Sequence, residues 1–330
     1  MSLPSFEFKT DFKVYSGEEL LNAEFPPREF IINNFLREKD SLIIAAPPKT
    51  GKSVYVLQKV FSLTSGDPFL DQFDINRVCK VFYVQLEGTV DDTQDRVKRM
   101  MRTVPFNPQN FALFFSSPIA LEEISSCKML MDQINATFKP DVIVIDPVYF
   151  AMRSSLSDDE AVRGFVGNLR VMQDFYKCVI ILVHHTHKGR FELKKGKVIK
   201  FDEGDDAVFG SVFFQAWATH QILLQRNPDT KIVQVGCKLQ RAGDIVPNLE
   251  LILRQPDPLY FEQVNSFPSQ EKKIQEFLPS EFRTAREIYS LADIPKPTFY
   301  RDIKVLIEKN QVEVETVSKD GTMMRLYRKK

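Results

Sequence analysis

The most constraining stretch of this sequence is Ser41–Ser53, which reads SLIIAAPPKTGKS. A short apolar run predicts a buried strand, a loop with two prolines follows, and the apolar spacing from Val54 onward predicts a helix. A strand, a loop ending in Gly-Lys-Ser and a helix form the phosphate-binding P-loop, in which backbone N–H groups and the helix N-terminus converge on an anion. The chain is therefore expected to fold around a nucleotide-binding sheet edge.

This loop predicts a set of nucleotide-binding residues. Lys52 would supply a positive charge to the β- and γ-phosphates, and Ser53 would offer its hydroxyl to Mg²⁺. The motif departs from its usual form at its first position, where Ala46 replaces glycine, whereas the crowded position keeps Gly51. The expected contacts are Ala46, Pro47, Pro48, Lys49, Thr50, Gly51, Lys52, Ser53 and Val54.

Length and composition limit the class of protein. The 330 residues suffice for one large and one small domain, and 44 basic side chains balance 44 acidic ones. This neutrality argues against a wholly basic nucleic-acid coat but permits local basic patches. No apolar run is long enough to span a bilayer, and the first residues lack a signal pattern. We expect a cytoplasmic protein that does not enter membranes, with its four scattered cysteines as free thiols.

From residue 41 to about 265, strand patterns alternate with amphipathic helix patterns. Near-continuous aliphatic runs between helices predict a mostly parallel sheet that is buried on both faces. The later strands follow one another through short turns and predict an antiparallel flank. Strands are predicted at 41–46, 80–86, 111–115, 141–145, 179–183, 218–226, 231–238, 249–253 and 259–264. Helices are predicted at 52–65, 91–104, 121–138 and 158–176.

Two carboxylates follow strands of this sheet. Asp146 ends an aliphatic run, which is the form of a Walker B element whose carboxylate holds Mg²⁺. Glu87 ends another strand, where a carboxylate could orient or deprotonate the water that attacks the γ-phosphate. Because Pro147 follows Asp146, no glutamate stands beside the Walker B aspartate, and this favours Glu87 as the base. The alternatives are that Asp146 only caps its strand and that Glu87 is a solvated strand end.

A group of histidines closes the next aliphatic strand. A polar side chain at that strand end can touch both the γ-phosphate and the following loop. A metal site formed by His184, His185 and His187 is the alternative. It is disfavoured because adjacent strand residues point to opposite faces, and because no cysteine or carboxylate stands at zinc spacing.

These residues together carry a family resemblance. The chain resembles the RecA-like ATPases of the RepA type, the plasmid-encoded hexameric replicative helicases, and more distantly the DnaB helicases. The resemblance covers about residues 28–255. Its motifs are Phe30–Ile32, the P-loop within Ala45–Ser53, Leu86–Glu87 before a helix with Arg96 and Arg99, Val142–Asp146, His184–His185 with Lys188, Gly210–Ser211, and Lys238–Gly243.

The resemblance implies catalytic roles within one subunit. ATP would be the nucleotide, Lys52 would stabilise its phosphates, and Glu87 would be the catalytic base. His185, or His184, would be the sensor that couples the state of the γ-phosphate to the DNA-binding loops. The chain would then be an ATP hydrolase.

The resemblance also implies a contribution from a neighbouring subunit. Arg241, with Lys238, would reach the ATP of the next subunit as an arginine finger. This sequence departs from the family here, because the two residues are three apart instead of two, and because Gln215–His220 lacks the arginine of the RepA-like pattern. Either Arg241 serves as the finger or the site is an incomplete ATPase.

A basic segment, Lys188–Lys200, follows the histidines. RecA-like rings present DNA-binding loops to a central channel at this strand, and several cations on a glycine-containing loop suit phosphate contacts without base specificity. The alternative is a solvated hairpin insertion. The expected contacts to single-stranded DNA are Lys188, Arg190, Lys194, Lys195 and Lys197.

Residues 266–330 predict a winged helix-turn-helix domain. A first helix spans about 270–278, a capping box at Thr284–Glu287 opens a second, and a third runs from Thr298 to Lys309. Strands at 312–317 and 323–327 flank a turn and form the wing. The face of the third helix with Tyr300, Arg301 and Lys304 suits the major groove of duplex or forked DNA. Winged helices also serve as protein-docking modules, which is the alternative.

We therefore expect an α/β protein with a lead-in at 1–40 packed on the core, a RecA-like ATPase domain at 41–265 and the small domain at 266–330. The expected function is that of a DNA-dependent ATPase, a hexameric, ring-forming replicative helicase of a plasmid, phage or similar element that translocates on single-stranded DNA. The alternative is a non-translocating RecA-like ATPase of recombination, repair or regulation, with nucleotide as an assembly switch.

Overall fold

The P-loop strand lies in the middle of a nine-stranded sheet. The computed structural model describes residues 14–25, 27–186, 210–241, 248–264, 271–319 and 322–330. The helices up to residue 217 are α1 (Gly17–Asn22), α2 (Lys52–Ser65), α3 (Val90–Met100), α4 (Ile124–Asn135), α5 (Asp159–Tyr176) and α6 (Val212–Trp217). The strands up to residue 263 are β1 (Phe30–Ile32), β2 (Leu36–Arg37), β3 (Ser41–Ala46), β4 (Val81–Gln85), β5 (Phe111–Phe115), β6 (Val142–Asp146), β7 (Val179–His185), β8 (His220–Arg226), β9 (Val233–Gln240), β10 (Leu249–Arg254) and β11 (Tyr260–Gln263).

The order of the strands confirms the predicted mostly parallel sheet with an antiparallel flank. In space the order is β11-β10-β9-β8-β3-β7-β6-β4-β5. The strands from β8 to β5 pair in parallel, whereas β9, β10 and β11 add to the β8 edge in antiparallel pairs. β1 and β2 form a separate two-stranded ribbon. This is the α/β arrangement of a RecA-like ATPase core.

Both faces of the sheet are covered, which explains the continuous apolar runs. Along β3, Ile44 belongs to a core with Val56 and Val60 of α2. Its neighbour Ile43 belongs to a second core on the other face, with residues of α4, α5 and α6. Alternate side chains of one strand therefore fill different cores, and all six residues of β3 are buried.

Two predicted helices are shorter than expected. α3 ends at Met100 and not at residue 104, and hydrogen-bonded turns follow it. Pro105 disfavours helical geometry at the residue before it, which accounts for this end. α4 spans Ile124–Asn135 within the predicted 121–138, because turns occupy both flanks.

The remaining residues form a compact unit of three helices and a three-stranded antiparallel sheet. Its elements are α7 (Glu271–Phe277), β12 (Arg283–Thr284), α8 (Ala285–Leu291), α9 (Lys296–Glu308), β13 (Val312–Lys319) and β14 (Thr322–Lys329). Ile274, Phe299 and Tyr327 share one apolar core to which the three helices and the two long strands contribute. The predicted capping box is confirmed, since Thr284 and Glu287 each hydrogen-bond the other's backbone N–H. The domain division near residue 265 stays a prediction.

The predicted thiols are confirmed as free, with Cys79, Cys127 and Cys178 buried and Cys237 partly so. None of the helices in the described ranges has both the length and the apolar character needed to cross a bilayer.

Candidate active site

The carboxyl ends of the parallel strands bring most of the predicted catalytic residues to one edge of the sheet. Ala46 pairs with His185 across β3 and β7, and Gln85 pairs with Asp146 across β4 and β6. Glu87 lies just beyond the end of β4. The sheet therefore gathers the P-loop, the Walker B carboxylate, the candidate base and the histidine in a single crevice, where α/β proteins bind ligands.

The backbone of the P-loop explains why alanine is accepted at its first position. Ala46 is the last residue of β3, and its carbonyl accepts a hydrogen bond from the Thr186 N–H at 3.1 Å. Positive φ angles occur later in the loop, at Lys49 (63°) and Gly51 (96°). The need for glycine is therefore greatest at Gly51, where an added Cβ would lie 2.9 Å from the Phe261 ring.

Lys52 is the first residue of α2 and is buried in the crevice. Its Nζ lies 3.1 Å from His185 Nδ1 and 3.5 Å from the Pro47 carbonyl oxygen. Burial lowers the pKa of Lys52, while the charges of Asp146 and Glu87 oppose this shift. The ammonium thus contacts a ring nitrogen and lies in the field of two acidic residues, at the place where phosphates are expected.

His185 links Lys52 to Glu87. Burial and the charge of Lys52 lower the pKa of His185, so the ring is neutral at pH 7. Because the Lys52 ammonium can only donate, Nδ1 accepts and the ring proton resides on Nε2. Nε2 lies 3.7 Å from Glu87 Oε2, which is beyond a direct hydrogen bond.

Asp146 and Ser53 fit the requirements of a Mg²⁺ site. The Asp146 carboxylate is buried, accepts a hydrogen bond from the Tyr83 hydroxyl at 2.6 Å and another from Ser53. Burial raises the pKa of Asp146, and these hydrogen bonds together with Lys52 counter the rise. A hydroxyl and a carboxylate beside a phosphate loop are the oxygen ligands that Mg²⁺ prefers. A bound Mg²⁺ would neutralise charge on the phosphates.

The two adjacent histidines have different surroundings. His184 is buried, with its ring 5.8 Å from that of Phe214 in α6. His185 is the one that lies in the crevice. The described residues contain no group of three or more His, Cys, Asp or Glu side chains placed to hold a metal ion, and His187 lies outside them.

Arg226 is a site residue that the sequence analysis missed. It ends β8, the strand beside β3, and its Nη1 lies 3.5 Å from the Lys49 carbonyl oxygen. The sequence signal was weaker than that of Asp146, because Gln225 separates Arg226 from the apolar run Ile222–Leu224.

Arg241 lies at the opposite edge of the sheet from the P-loop. Gln240 pairs with His220, and His220 pairs with Leu42 near the start of β3. The Arg241 backbone N–H donates to the Thr219 carbonyl at 3.0 Å, and its guanidinium lies 3.5 Å from the Gln215 carbonyl oxygen. Within its own subunit Arg241 therefore lies away from the predicted nucleotide site.

The predicted DNA contacts are placed in part. Lys188, Arg190, Lys194, Lys195 and Lys197 lie outside the described residues. The side chain of Arg301 is likewise not described, although its backbone belongs to α9. Tyr300 and Lys304 lie on the side of α9 that meets the ATPase core, where Lys304 pairs with Asp71.

The match to one family model agrees with this geometry. A family model for the AAA domain matches residues 6–190, which is more than half of the chain. No curated protein sequence matches. Among solved structures, a KaiC-like protein from the hyperthermophilic archaeon Pyrococcus horikoshii OT3 is similar, with a TM-score of 0.48 and 11% sequence identity over 72% of this chain and 100% of that chain. The family match includes the P-loop, Glu87, Asp146 and His185.

Proposed function

The chain belongs to the AAA domain family and carries a RecA-like P-loop ATPase core, and on this premise we propose that it is an ATP-driven DNA motor. The motor is a ring-forming, hexameric replicative helicase of a plasmid, phage or similar element that translocates on single-stranded DNA. ATP and Mg²⁺ bind at the P-loop and Asp146.

The observation that carries the proposal is the position of His185. It touches Lys52, faces Glu87 and ends the strand that leads into the basic segment Lys188–Lys200. A γ-phosphate that draws Lys52 away changes the contacts of His185 at once. The same short stretch of chain therefore senses the nucleotide and leads to the cations proposed to hold single-stranded DNA.

Glu87 acts as the base in the proposed hydrolysis. Its carboxylate is half exposed beside the crevice and can accept a proton from the water that attacks the γ-phosphorus. The bond from the γ-phosphorus to the β,γ-bridging oxygen breaks, and ADP leaves. Lys52 stabilises the charge that develops on the phosphoryl oxygens.

The C-terminal unit supports a DNA-binding role. Its order of elements, α7-β12-α8-α9-β13-β14, supports our proposal of a winged helix, in which α9 would be the recognition helix and β13–β14 the wing. We propose that this unit binds duplex or forked DNA.

Hydrolysis and strand separation by the purified chain test the proposal. Single-stranded DNA should stimulate hydrolysis, Lys52→Ala should abolish it, and Glu87→Gln should lower kcat by about 100-fold or more with nucleotide binding retained. Glu160→Gln, at the start of α5, is the matched control and should behave as the parent chain. A forked DNA substrate should be unwound. Hydrolysis without unwinding, under conditions in which rings form, would instead establish the non-translocating ATPase of recombination, repair or regulation.

A further inference from the structure

The connection between α2 and β4 displays three carboxylates on a rigid turn. We call Asp67–Asp74 the acidic turn. Its Phe69 side chain is buried, packs edge-on against Tyr55 of α2 with ring centroids 5.2 Å apart, and so anchors the turn to the P-loop helix. The Phe73 N–H donates to the Phe69 carbonyl at 3.0 Å and closes the turn.

The turn projects its acidic side chains by an unusual backbone. Leu70 and Asp71 have φ angles of 54° and 55°, a region that side-chain-bearing residues seldom adopt. Asparagine and aspartate tolerate this region better than other non-glycine residues, so Asp71 suits its position. The geometry is local and fixed, because both strands of the turn are held by the Phe69–Phe73 bridge.

The acidic turn meets a set of cations on the C-terminal unit. We call Lys296 and Lys304 of α9 and Arg325 of β14 the cationic face. Lys296 pairs with Asp74, Lys304 pairs with Asp71, and Arg325 Nη2 lies 2.9 Å from Asp67 Oδ1. Each carboxylate therefore has its own cation, and the three pairs join the unit to the ATPase core.

The paired side of α9 is the side expected to enter a DNA groove. Lys296, Tyr300 and Lys304 recur every fourth residue and so form one stripe of the helix. Tyr300 lies within the contact: burial, and next the charge of Asp74, raise the pKa of its hydroxyl. While the acidic turn occupies this stripe, a phosphate backbone cannot reach it.

The contact is suited to release. All three ion pairs are partly exposed, from 50% and 40% of the side-chain surface at Lys304 and Asp71 down to 20% and 33% at Lys296 and Asp74, and ion pairs open to solvent contribute little net stability and weaken in salt. A nucleic-acid backbone presents many phosphates and gains from counterion release when cations bind it. The phosphates of a nucleic acid and the carboxylates of the acidic turn therefore compete for the same three cations, and the two interactions are of similar strength.

We propose that the acidic turn is an intramolecular ligand of the cationic face. The turn occupies the cations that would otherwise bind a nucleic-acid backbone, until DNA displaces the turn. This inference rests on the proposed DNA-binding function of the C-terminal unit. It assigns the turn a regulatory role, since only molecules with a released unit present α9 to DNA.

The first test removes the charges of the turn in the full-length chain. The triple variant Asp67→Asn, Asp71→Asn, Asp74→Asn keeps the side-chain shape and the left-handed backbone at residue 71. Its affinity for a fluorescein-labelled mixed-sequence DNA duplex, measured by anisotropy, should rise by about tenfold, as expected for a face that is closed in roughly nine molecules of ten.

The matched control carries the same change of charge elsewhere. Asp132→Asn, Asp174→Asn, Asp229→Asn alters exposed residues of α4, α5 and the β8–β9 turn. This control should bind DNA as the parent chain does. Equal affinity of the parent chain, the control and the acidic-turn variant overturns the inference, and an equal gain in both variants reduces the effect to net charge and also overturns it.

The second test detects the contact without relying on affinity. A carbodiimide joins a lysine amine to a carboxylate only when the two touch, so mass spectrometry of the treated chain should find a Lys304–Asp71 or Lys296–Asp74 crosslink. Saturating duplex DNA should suppress its yield several-fold. If DNA binds and the yield is unchanged, the inference fails while the proposed function stands. If the acidic-turn variant does not bind DNA at all, the DNA-binding role of the unit fails, and the inference with it.

Discussion

The contact between His185 and Lys52 leads to a prediction at the scale of single residues. His185→Ala removes the link between the ammonium and the strand that leads to the basic segment, but leaves the P-loop, Asp146 and Glu87 in place. We expect basal ATP hydrolysis to persist while its stimulation by single-stranded DNA is lost. Steady-state hydrolysis with and without DNA measures both. An equal loss of basal and stimulated rates would contradict the sensor role.

A second residue, Lys59, lies in the core although it carries an amine. Its Nζ is 3.8 Å from the centre of the Phe69 ring and 5.1 Å from that of Phe35. Burial lowers the pKa of Lys59 from 10.5 to about 7, while the aromatic faces favour the charged form. At neutral pH the folded chain thus holds this amine partly uncharged.

The shifted pKa of Lys59 makes stability depend on pH. Between pH 7 and pH 10.5 the unfolded chain binds a proton at Lys59 that the folded chain has lost, so this residue costs stability at pH 7 and the cost fades as the pH rises. We expect Lys59→Met to stabilise the chain by about 2–4 kcal/mol at pH 7. The gain should shrink towards pH 10. Urea unfolding across this range measures it.

An exposed lysine provides the comparison for Lys59→Met. Lys98→Met, on the outer side of α3, should change stability little and without this dependence on pH. A gain at Lys59→Met that is the same at pH 7 and pH 10 would show that packing, and not the charge of the amine, sets the effect.

Single residues of the site were predictable where the chemistry is local. Lys52, Ser53 and Gly51 lie within one short motif, Asp146 ends β6, and Glu87 lies two residues beyond β4. The contact between Lys52 and His185 was not predictable in detail, because it joins residues that are far apart in sequence and depends on the register of β3 and β7.

At the scale of elements, β11 is packed against the P-loop helix. The Gln58 side chain donates to the Phe261 carbonyl at 3.0 Å and accepts from the Phe261 N–H at 2.6 Å, as a neighbouring strand would. The Phe261 ring covers Gly51 and lies 6.2 Å from the ring of Tyr55. The antiparallel flank is therefore part of the support of the nucleotide site.

Removing the Phe261 ring should make the P-loop more mobile. Phe261→Ala should destabilise the chain by about 3–5 kcal/mol and also weaken nucleotide binding, because the covering of Gly51 is lost. Phe165→Ala, in the core on the other face of the sheet, should cost similar stability and leave the affinity of the folded chain unchanged. Urea unfolding and titration with a fluorescent ATP analogue measure the two effects. Equal affinity in both variants would separate β11 from nucleotide binding.

The elements themselves were largely predictable, because apolar periodicity is a local property. β3, β5 and α2 have the bounds expected from sequence. The packing of β11 on α2 was not predictable, because nothing near Phe261 in the sequence indicates which helix this strand will contact.

At the scale of the whole molecule, the proposed ring predicts that subunits share sites, with Arg241 of one subunit reaching the nucleotide of the next. A subunit with Lys52→Ala still offers Arg241, and a subunit with Arg241→Ala still offers an intact P-loop. Each variant alone should be inactive, whereas a mixture should regain part of the hydrolysis at interfaces that combine both intact residues. Steady-state hydrolysis against the mixing ratio measures this. A mixture as inactive as its components would exclude a role for Arg241 in the neighbouring site. It would favour the alternative, in which nucleotide acts as an assembly switch.

The whole-molecule arrangement was the least predictable level. The sequence predicts a basic face on α9 and does not reveal that Asp67, Asp71 and Asp74 will meet it. Such a contact depends on how two folded units fit together, and acidic residues in a loop have no local signature that identifies a partner.

The support of Gly51 by Phe261 also bears on the time at which the protein gains its ligand. During synthesis the P-loop motif emerges long before β11, so a growing chain that ends before about residue 260 carries every phosphate-binding residue without the strand that packs on them. Ribosome-bound chains of increasing length should therefore bind nucleotide late and abruptly. An ATPase built in this way binds no nucleotide until its core is nearly complete.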